Sequence, residues 1–252
     1  MSAITAYNSV VTKLSEQLQQ EKYVLATAQS VDQVLNLDSN DVDLFKECWN
    51  QLKRDTYMAD GGKYRYRRYG ELSKQANSED FAILPHAPYT QPSYINSLNG
   101  DVERHFSPLT SKFTSSPVLT KVLSLLSSVY DSAEGKKQNW SIRLHPYRIK
   151  TTKTELGHPA PEGLHRDGVT YIASMMICKH NIIGGSTLLT NNSQEALTSV
   201  TLNETLDIIM ADDEKTMHQV SPIKPATRDK KAYRDVLVIA FTRKEQSNGL
   251  NS

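Results

Sequence analysis

The stretch WSIRLHPYRIK, residues 140–150, is the first of six short runs rich in β-branched and apolar residues that follow Gly135. The other five runs are residues 169–178, 186–190, 206–210, 216–220 and 236–242. Clusters of turn-forming residues separate them, at residues 158–163, 181–185 and 191–194. Many short strands with intervening turns favour a sandwich or a barrel, and no βαβ rhythm indicates a parallel sheet.

The region before Gly135 is predicted to be mainly helical and loop structure that supports the β-rich half. Apolar residues recur at helical spacing in two segments, which are Ile4, Tyr7, Val11, Leu14 and Leu18, and then Val42, Phe45, Trp49 and Leu52. Residues 60–117 are rich in Gly, Pro, Ser and Asn, which predicts loops and short strands. A further helix is predicted to begin at Pro117, after the N-cap Ser116, and to end at Gly135.

These observations predict an α+β fold in a single domain over residues 1–252. Residues 1–135 form the support, residues 136–245 form the β core, and residues 246–252 form a loose tail. The length of 252 residues and the 38% of hydrophobic residues allow a sizeable core.

The composition excludes several classes of partner. The formal net charge of +1 gives no electrostatic reason to expect nucleic acid or an anionic membrane. Cys48 and Cys178 are the only cysteines, so a disulfide framework or a thiolate zinc site is not expected. The first twenty residues lack the apolar core of a secretory signal, and no stretch is apolar over the length of a bilayer. We therefore expect a cytoplasmic protein.

A metal site is predicted from the triplet His165-Arg166-Asp167 together with His218. The triplet alone carries little weight, because chance gives on the order of one H-x-(D/E) triplet in a chain of this composition. His218, however, lies in another predicted strand, at residues 216–220. Residues i and i+2 of an extended segment point the same way, so His165 and Asp167 can both be ligands. Two imidazoles and one carboxylate form the facial triad that suits non-haem Fe(II).

An arginine in the last predicted strand adds a site for an anion. Strand alternation places Arg234, Val236, Val238 and Ala240 on one face. A guanidinium on an apolar inner face requires an anionic partner, and it matches a carboxylate through two parallel hydrogen bonds. A dicarboxylic cosubstrate would supply that carboxylate, although an ion pair with a surface Asp or Glu is the alternative.

Five blocks of sequence occur in a characteristic order: LHPYR at 144–148, HRDG at 165–168, IGG at 183–185, MHQVSP at 217–222 and YRDVL at 233–237. In this order the chain resembles the bacterial 2-oxoglutarate/Fe(II) dioxygenases that include free L-isoleucine 4-hydroxylase. The likeness covers residues 140–244 well, is faint near residues 64–69 and does not extend before residue 55. The chain departs from that hydroxylase at residues 151–162 and at Gly168.

The resemblance implies a double-stranded β-helix (jelly-roll, cupin-like) core with N-terminal supporting helices. It implies that His165, Asp167 and His218 bind Fe(II) and that Arg234 holds the far carboxylate of 2-oxoglutarate. The implied reaction consumes O2, hydroxylates an aliphatic C–H, usually of an amino acid, and converts 2-oxoglutarate into succinate and CO2. The departures border the metal, so the particular substrate does not carry over.

The run KYRYRRY, residues 63–69, suggests where a substrate binds. Arg67 or Arg68 could hold the α-carboxylate of an amino acid, and Tyr147 and Arg148 enter the same core. A solvated strand is the simpler interpretation of the run, and a single such cluster in a neutral protein is weak support for nucleic-acid binding. His145 is expected to be a packing histidine rather than a fourth ligand.

Two other functions remain as alternatives at this point. One is a cupin-like metalloenzyme that does not use 2-oxoglutarate, and the other is a non-catalytic jelly-roll binding module. Arg234 argues against the first, and the intact set of three ligands argues against the second. The expected partner is a small molecule, with a free, a carrier-bound and a protein-bound amino acid all open.

Overall fold

The computed structural model describes residues 3–93, 95 and 100–244. The expected loose tail at residues 246–252 lies outside the described residues. The helices are α1 (Ala3–Glu21), α2 (Ala28–Leu35), α3 (Ser39–Glu47), α4 (Ser111–Thr114) and α5 (Pro117–Ala133), with a 3-10 helix at Cys48–Gln51. None of the described helices is both long and apolar enough to cross a membrane.

The strands lie between the helices in the first half of the chain and make up most of the second half. The early strands are β1 (Tyr23–Ala26), β2 (Lys53–Arg54), β3 (Arg65–Arg67), β4 (Gly70–Lys74) and β5 (Phe81–Ile83). The later strands are β6 (Asn139–Thr151), β7 (Tyr171–His180), β8 (Ile182–Gly184), β9 (Thr187–Asn191), β10 (Ala196–Val200), β11 (Ile208–Asp212), β12 (Thr216–Val220), β13 (Ile223–Pro225) and β14 (Ala232–Lys244).

The described strands form one large antiparallel sheet and two small sheets. The large sheet has the order β1-β11-β7-β14-β6-β3-β2, with β4 also paired to β6 and β5 paired to β4. The small sheets are β10-β9-β12 and β13-β8. The long strands β6 and β14 pair along thirteen positions, from Asn139 with Lys244 to Thr151 with Ala232, so they form the centre of the large sheet.

The two faces of the large sheet bury different partners. On one face, Leu237, Ile239 and Phe241 of β14 share a core with residues of α1 and α5. On the other face, Val236 and Ala240 pack with Leu189 of β9. The chain is therefore a β-sandwich with helices covering its outer face, as the α+β jelly-roll prediction requires. Sheet alternation also decides which side chains of β14 can reach a site inside the sandwich.

The expected helices are present with adjusted limits. The stripe from Val42 to Leu52 spans α3 and the 3-10 helix, with Phe45 and Trp49 almost fully buried. Ile4 is 74% exposed and does not join the packing surface expected of it, whereas α1 contacts the core from Tyr7 onward and contributes buried residues from Val11. Helix α5 begins at Pro117 as predicted.

The strand β1 was not predicted, because the N-terminal region was expected to be helical. Its four residues pair with β11, nearly two hundred positions later in the chain, from Tyr23 with Ala211 to Ala26 with Ile208. A strand this short gains its stability from that distant partner and from burial of Val24 and Ala26, so local sequence alone does not reveal it.

Candidate metal centre and adjoining cavities

His165, Asp167 and His218 converge between the large sheet and the small sheet β10-β9-β12. His165 and Asp167 lie in the segment before β7, and His218 is the middle residue of β12. The backbones of His165 and His218 pair directly, with N–H to carbonyl distances of 3.0 and 2.8 Å. One potential ligand atom from each of the three side chains lies within 4.8 Å of the others. All three residues are half-buried, so a metal ion there would be shielded on the protein side and open on the other.

The ring orientation of His165 leaves one nitrogen available. Its Nδ1 donates to the carbonyl of Gly163 at 2.9 Å, since a carbonyl oxygen can only accept. The lone pair of the neutral ring is therefore on Nε2, which is the arrangement typical of metal-binding histidines. Burial lowers the pKa of His218 to about 4, so this imidazole is neutral at physiological pH, as a ligand must be.

The loop that carries Asp167 is held by a second carboxylate. Asp213, 1% exposed, accepts hydrogen bonds from the backbone N–H groups of Asp167, Gly168 and Val169 at 3.1, 2.8 and 3.0 Å. Gly168 adopts φ +74°, in the left-handed region that favours glycine. Asp213 thus fixes the turn that aims Asp167 at the two histidines.

Arg234 lies in the same cavity as these three residues and is 3% exposed. Its Nε and Nη2 have no hydrogen-bond partner among the described residues. Burial lowers the pKa of the guanidinium to about 10, so it remains charged at neutral pH. A buried cation with unused, parallel donors fits a carboxylate that is not part of the protein. Val236 and Val238 line the same cavity, which confirms the predicted alternation along β14.

A second, more polar cavity adjoins the first. Arg65, Tyr89, Tyr147, Glu162 and Asp167 line both cavities. The residues that line only the second include Asp60, Arg67, Gln91 and Arg104. Three arginines and several carboxylates therefore face one small space beside the metal site.

The four residues expected to bind substrate separate into two pairs. Arg67, 2% exposed, and Tyr147 lie at the second cavity. Arg68 points away from it, because neighbouring residues of an extended segment face opposite sides, and it bonds instead to the carbonyls of Gln51 and Pro108. Arg148 faces away from Tyr147 for the same reason and forms a bidentate ion pair with Asp235, both contacts at 2.7 Å. The structure therefore places Arg68 and Arg148 outside both cavities.

His145 is buried among aromatic rings, as its expected packing role requires. Its ring centroid lies 5.0 Å from that of Tyr69, 4.8 Å from that of Tyr89 and 6.0 Å from that of Tyr147. Its Nδ1 contacts Nη2 of Arg67. Burial holds the pKa of His145 well below its usual value, so the neutral ring accepts this hydrogen bond.

Sequence analysis did not single out several residues of these cavities, namely Arg65, Tyr89, Gln91, Arg104 and Glu162. It also did not single out Asp213, which holds the loop of Asp167. Arg65 was within reach of the argument, because it alternates with Arg67 in the same basic run. Arg104 and Gln91 come from a segment that was predicted only as loops and short strands, where no periodicity indicates which side chains point inward.

A jelly-roll core that brings two histidines, one aspartate and a buried arginine into one cavity defines the class of mononuclear non-haem iron oxygenases. Comparison with known proteins makes the class specific, since the chain matches the family described as 2OG-Fe dioxygenase over residues 46–240. This match covers most of the chain. The chain belongs to the 2OG-Fe dioxygenase family, and it is a 2-oxoglutarate-dependent oxygenase that uses Fe(II), 2-oxoglutarate and O2.

Individual relatives agree with this result. The chain is 24% identical over 210 residues, which is 82% of this chain and 83% of the relative, to the 3(1)-hydroxy-L-isoleucine 4-dioxygenase of Pantoea ananatis (strain AJ13355). A bsmA homolog from Methylobium petroleophilum PM1 has a TM-score of 0.83 at 27% identity, covering 92% of this chain and 93% of that chain. IDO from Bacillus thuringiensis shares the fold, with a TM-score of 0.76 at 20% identity over 93% of this chain and 96% of that chain. The predicted resemblance to bacterial amino-acid hydroxylases is confirmed.

Proposed function

We propose that His165, Asp167 and His218 hold the Fe(II) and that Arg234 binds the far carboxylate of 2-oxoglutarate. The donor set fits ferrous iron, because it offers two imidazoles and one carboxylate and leaves positions for cosubstrate and oxygen. When bound, the iron supplies the activation of O2 that hydroxylation of an aliphatic C–H requires. The chain's own residues bind and orient the two organic substrates.

The observation that carries the proposal is the pairing of the three ligands with Arg234 in one cavity. A metal site alone would also suit a cupin-like enzyme without 2-oxoglutarate. The buried Nε and Nη2 of Arg234 have no partner among the described residues and favour an anion in the metal cavity. A dicarboxylate that chelates the metal at one end would supply this anion at the other. Binding of the far carboxylate by Arg234 fixes the direction in which 2-oxoglutarate lies.

We propose further that the hydroxylated substrate is a small molecule, a free L-amino acid or a close analogue. The Pantoea relative is named for a hydroxylated L-isoleucine, which supports an aliphatic amino acid as the class. Arg67 and Tyr147, which line the cavity next to Asp167, are the proposed substrate contacts. The products would be the hydroxylated amino acid, succinate and CO2.

Succinate formation tests the ligand assignment. The purified protein is incubated with Fe(II), 2-oxoglutarate and air, and succinate is quantified with and without aliphatic L-amino acids. His165→Ala and His218→Ala should each abolish succinate formation, because the facial set then lacks one ligand. His105, whose side chain is 67% exposed, provides the matched control, and His105→Ala should keep the activity of the wild type. Full activity in either ligand variant would refute the assignment.

A further inference from the structure

A groove at one end of the large sheet is separate from the metal site. Its walls come mainly from the end of β6 with the turn after it, and from the start of β14 with the loop before it. The residues that line it differ from those that line the metal cavity and the second cavity. Its volume is about 640 Å³, within the range of roughly 300–1,000 Å³ that is typical of small-molecule sites.

Strand alternation places this groove on the opposite side of the sheet from the metal. Ile149 of β6 pairs with Arg234 of β14, and both line the metal cavity. The next pair along the two strands is Lys150 with Tyr233, and both line the groove. Neighbouring residues of a strand face opposite sides, so a ligand in the groove would lie across the sheet from the metal cavity.

The groove concentrates positive charge. Among the described residues that line it, Asp229 is the single carboxylate, whereas the cationic side chains are Arg148, Lys150, Lys153, Lys230 and Lys231. The whole chain has a formal net charge of only +1. A concave site with charges mostly of one sign raises the local concentration of ligands of the opposite sign, so this groove favours an anion.

Most of this positive charge is not balanced by the protein. Arg148 has its bidentate pair with Asp235, and Lys153 lies 3.2 Å from Asp229. In the part of the chain that the structure describes, no carboxylate lies within 4.0 Å of the other three ammonium groups, those of Lys150, Lys230 and Lys231. Like charges that share one pocket repel one another, and an anion bound between them would remove this repulsion.

The kind of cation indicates the kind of anion. The guanidinium fork of Arg148, which would match a planar carboxylate, is already used by Asp235 through two contacts of 2.7 Å. The unbalanced charges are all lysines, whose ammonium groups are compact point charges with three rotatable donors. Lysine binds phosphate as such a point charge. Several lysines around one pocket therefore favour a ligand with more than one phosphate.

The aromatic ring beside the groove offers little to a nucleobase. The guanidinium carbon of Arg148 lies 4.5 Å from the ring centre of Tyr233, and the ring of His180 stacks on Tyr233 with centroids 5.2 Å apart. A base that binds by stacking needs a free aromatic face. The groove therefore fits the phosphate part of a ligand better than a base.

We propose that this groove binds a diphosphate or a longer polyphosphate group through Lys150, Lys230 and Lys231. The inference goes beyond the proposed function, because it involves none of the residues that line the metal cavity. The same chemistry is present in inorganic pyrophosphate and in a nucleoside diphosphate. A ligand bound there would join the turn after β6 to the loop before β14, so it should also raise the Tm.

Calorimetry on the metal-free full chain tests the site, since phosphates would otherwise chelate the metal. Pyrophosphate should bind at least about 10-fold more tightly than inorganic phosphate or sulfate, because it carries more charge, and its Kd should rise with salt. Adenosine diphosphate distinguishes the sources: an equal Kd would identify the diphosphate alone as the recognised group, and a tighter one would identify a nucleotide. No binding of pyrophosphate, the same Kd for sulfate, or tighter binding of a tetraglutamate peptide would overturn the proposal.

Variants test the assigned lysines. The double variant Lys230→Gln with Lys231→Gln should raise the Kd of pyrophosphate about 10- to 100-fold, because two charge-assisted contacts are lost. Lys13→Gln with Lys136→Gln, at exposed positions outside the groove, makes the same change in net charge and should match the wild type. An unchanged Kd in the first double variant, or an equal rise in the second, would refute the assignment.

A third variant separates this site from the proposed function. Arg234→Met should keep the wild-type Kd for pyrophosphate, because Arg234 lies on the other side of the sheet. Loss of pyrophosphate binding in Arg234→Met would place the probe in the metal cavity and overturn the groove as its site. Failure of the wild type to bind 2-oxoglutarate would refute the proposed function and leave the result for pyrophosphate unaffected.

Discussion

Replacing Arg234 with methionine should make the metal-free protein more stable while it removes binding of 2-oxoglutarate. The guanidinium is fully charged at neutral pH, and its burial lowers its pKa below the usual value of an arginine, to about 10. At 1.36 kcal/mol per pKa unit, keeping the charge buried costs about 3 kcal/mol. The cost is complete below the folded-state pKa of about 10 and would be relieved only as the pH rises above that value. Methionine fills much of the same space without a charge, so Arg234→Met should raise the free energy of unfolding by about 1–3 kcal/mol.

Once metal and 2-oxoglutarate are present, Arg234→Met should lose stability relative to the wild type. Two charge-assisted hydrogen bonds from Arg234 to a carboxylate contribute about 1.5–3 kcal/mol each, so the Kd for 2-oxoglutarate should rise by at least about 100-fold. A ligand at about 100 times its Kd adds about 2.7 kcal/mol to stability. The wild type should gain this stabilisation in the presence of metal and 2-oxoglutarate, and the variant should not.

Thermal unfolding measures both effects in one pair of experiments. For a chain of this size, a change of 1 kcal/mol shifts the Tm by about 2–4 °C. The Tm of metal-free Arg234→Met should therefore lie several degrees above that of the wild type, and this difference should shrink or reverse with Mn(II) and saturating 2-oxoglutarate. Arg234→Lys, which keeps the charge and loses the fork, should gain little stability and bind 2-oxoglutarate more weakly. A variant that is less stable without ligands yet binds 2-oxoglutarate normally would refute the assignment of an anion site.

Three further changes follow from contacts elsewhere in the fold. Asp213→Asn should weaken Mn(II) binding about 10- to 100-fold, because the amide cannot accept all three backbone hydrogen bonds that hold residues 167–169. Unchanged affinity in a metal titration would contradict this role of Asp213. Arg148→Ala should lower the free energy of unfolding by about 3–5 kcal/mol in a denaturant titration, because the buried Asp235 loses its ion pair. It should leave 2-oxoglutarate affinity intact, because the pair lines neither cavity. A loss of stability below about 1 kcal/mol would show that the pair is dispensable. Gly184→Ala should destabilise the protein more than Gly61→Ala. Both glycines have positive φ, but only at Gly184 would the added Cβ lie 2.1 Å from a backbone carbonyl oxygen. Equal losses in the free energy of unfolding would mean that the backbone at Gly184 shifts to make room for the Cβ.

The sequence predicted the parts of the site that depend on strand alternation. His165 and Asp167 share a direction because they are two residues apart in an extended segment, and Arg234 follows the face of Val236 and Val238. The strand β12 was predicted with its observed bounds, Thr216–Val220, so the position of His218 was predicted too. These relations need only the two-residue period of a strand. That the whole chain forms a single domain stays a prediction.

The residues that sequence analysis missed depend on contacts between distant segments. Asp213 lies in a turn that follows β11, and only folding brings it to the backbone of residues 167–169. Arg104 and Gln91 come from a loop region without periodicity, and their hydrogen bond forms across thirteen residues. Arg68 and Arg67 look equivalent in a basic run, yet Arg67 is buried in β3 and lines the second cavity. Arg68 follows the strand, is half-buried and bonds to the carbonyls of Gln51 and Pro108.

Arg234 and Arg104 show that burial and charge alone do not identify the residue that binds the cosubstrate. Both arginines are buried, and both have donors without a partner among the described residues. Arg234 lines the metal cavity, and Arg104 lines only the adjoining polar cavity. Asp167 forms part of both walls, and its carbonyl accepts a hydrogen bond at 3.3 Å from Gln91, which also accepts one from Arg104. Of these two arginines, only Arg234 shares a cavity with all three proposed metal ligands, because the cavity of Arg104 includes Asp167 but neither histidine. Arg234 is therefore the arginine that can reach the far carboxylate of a dicarboxylate bound to the metal.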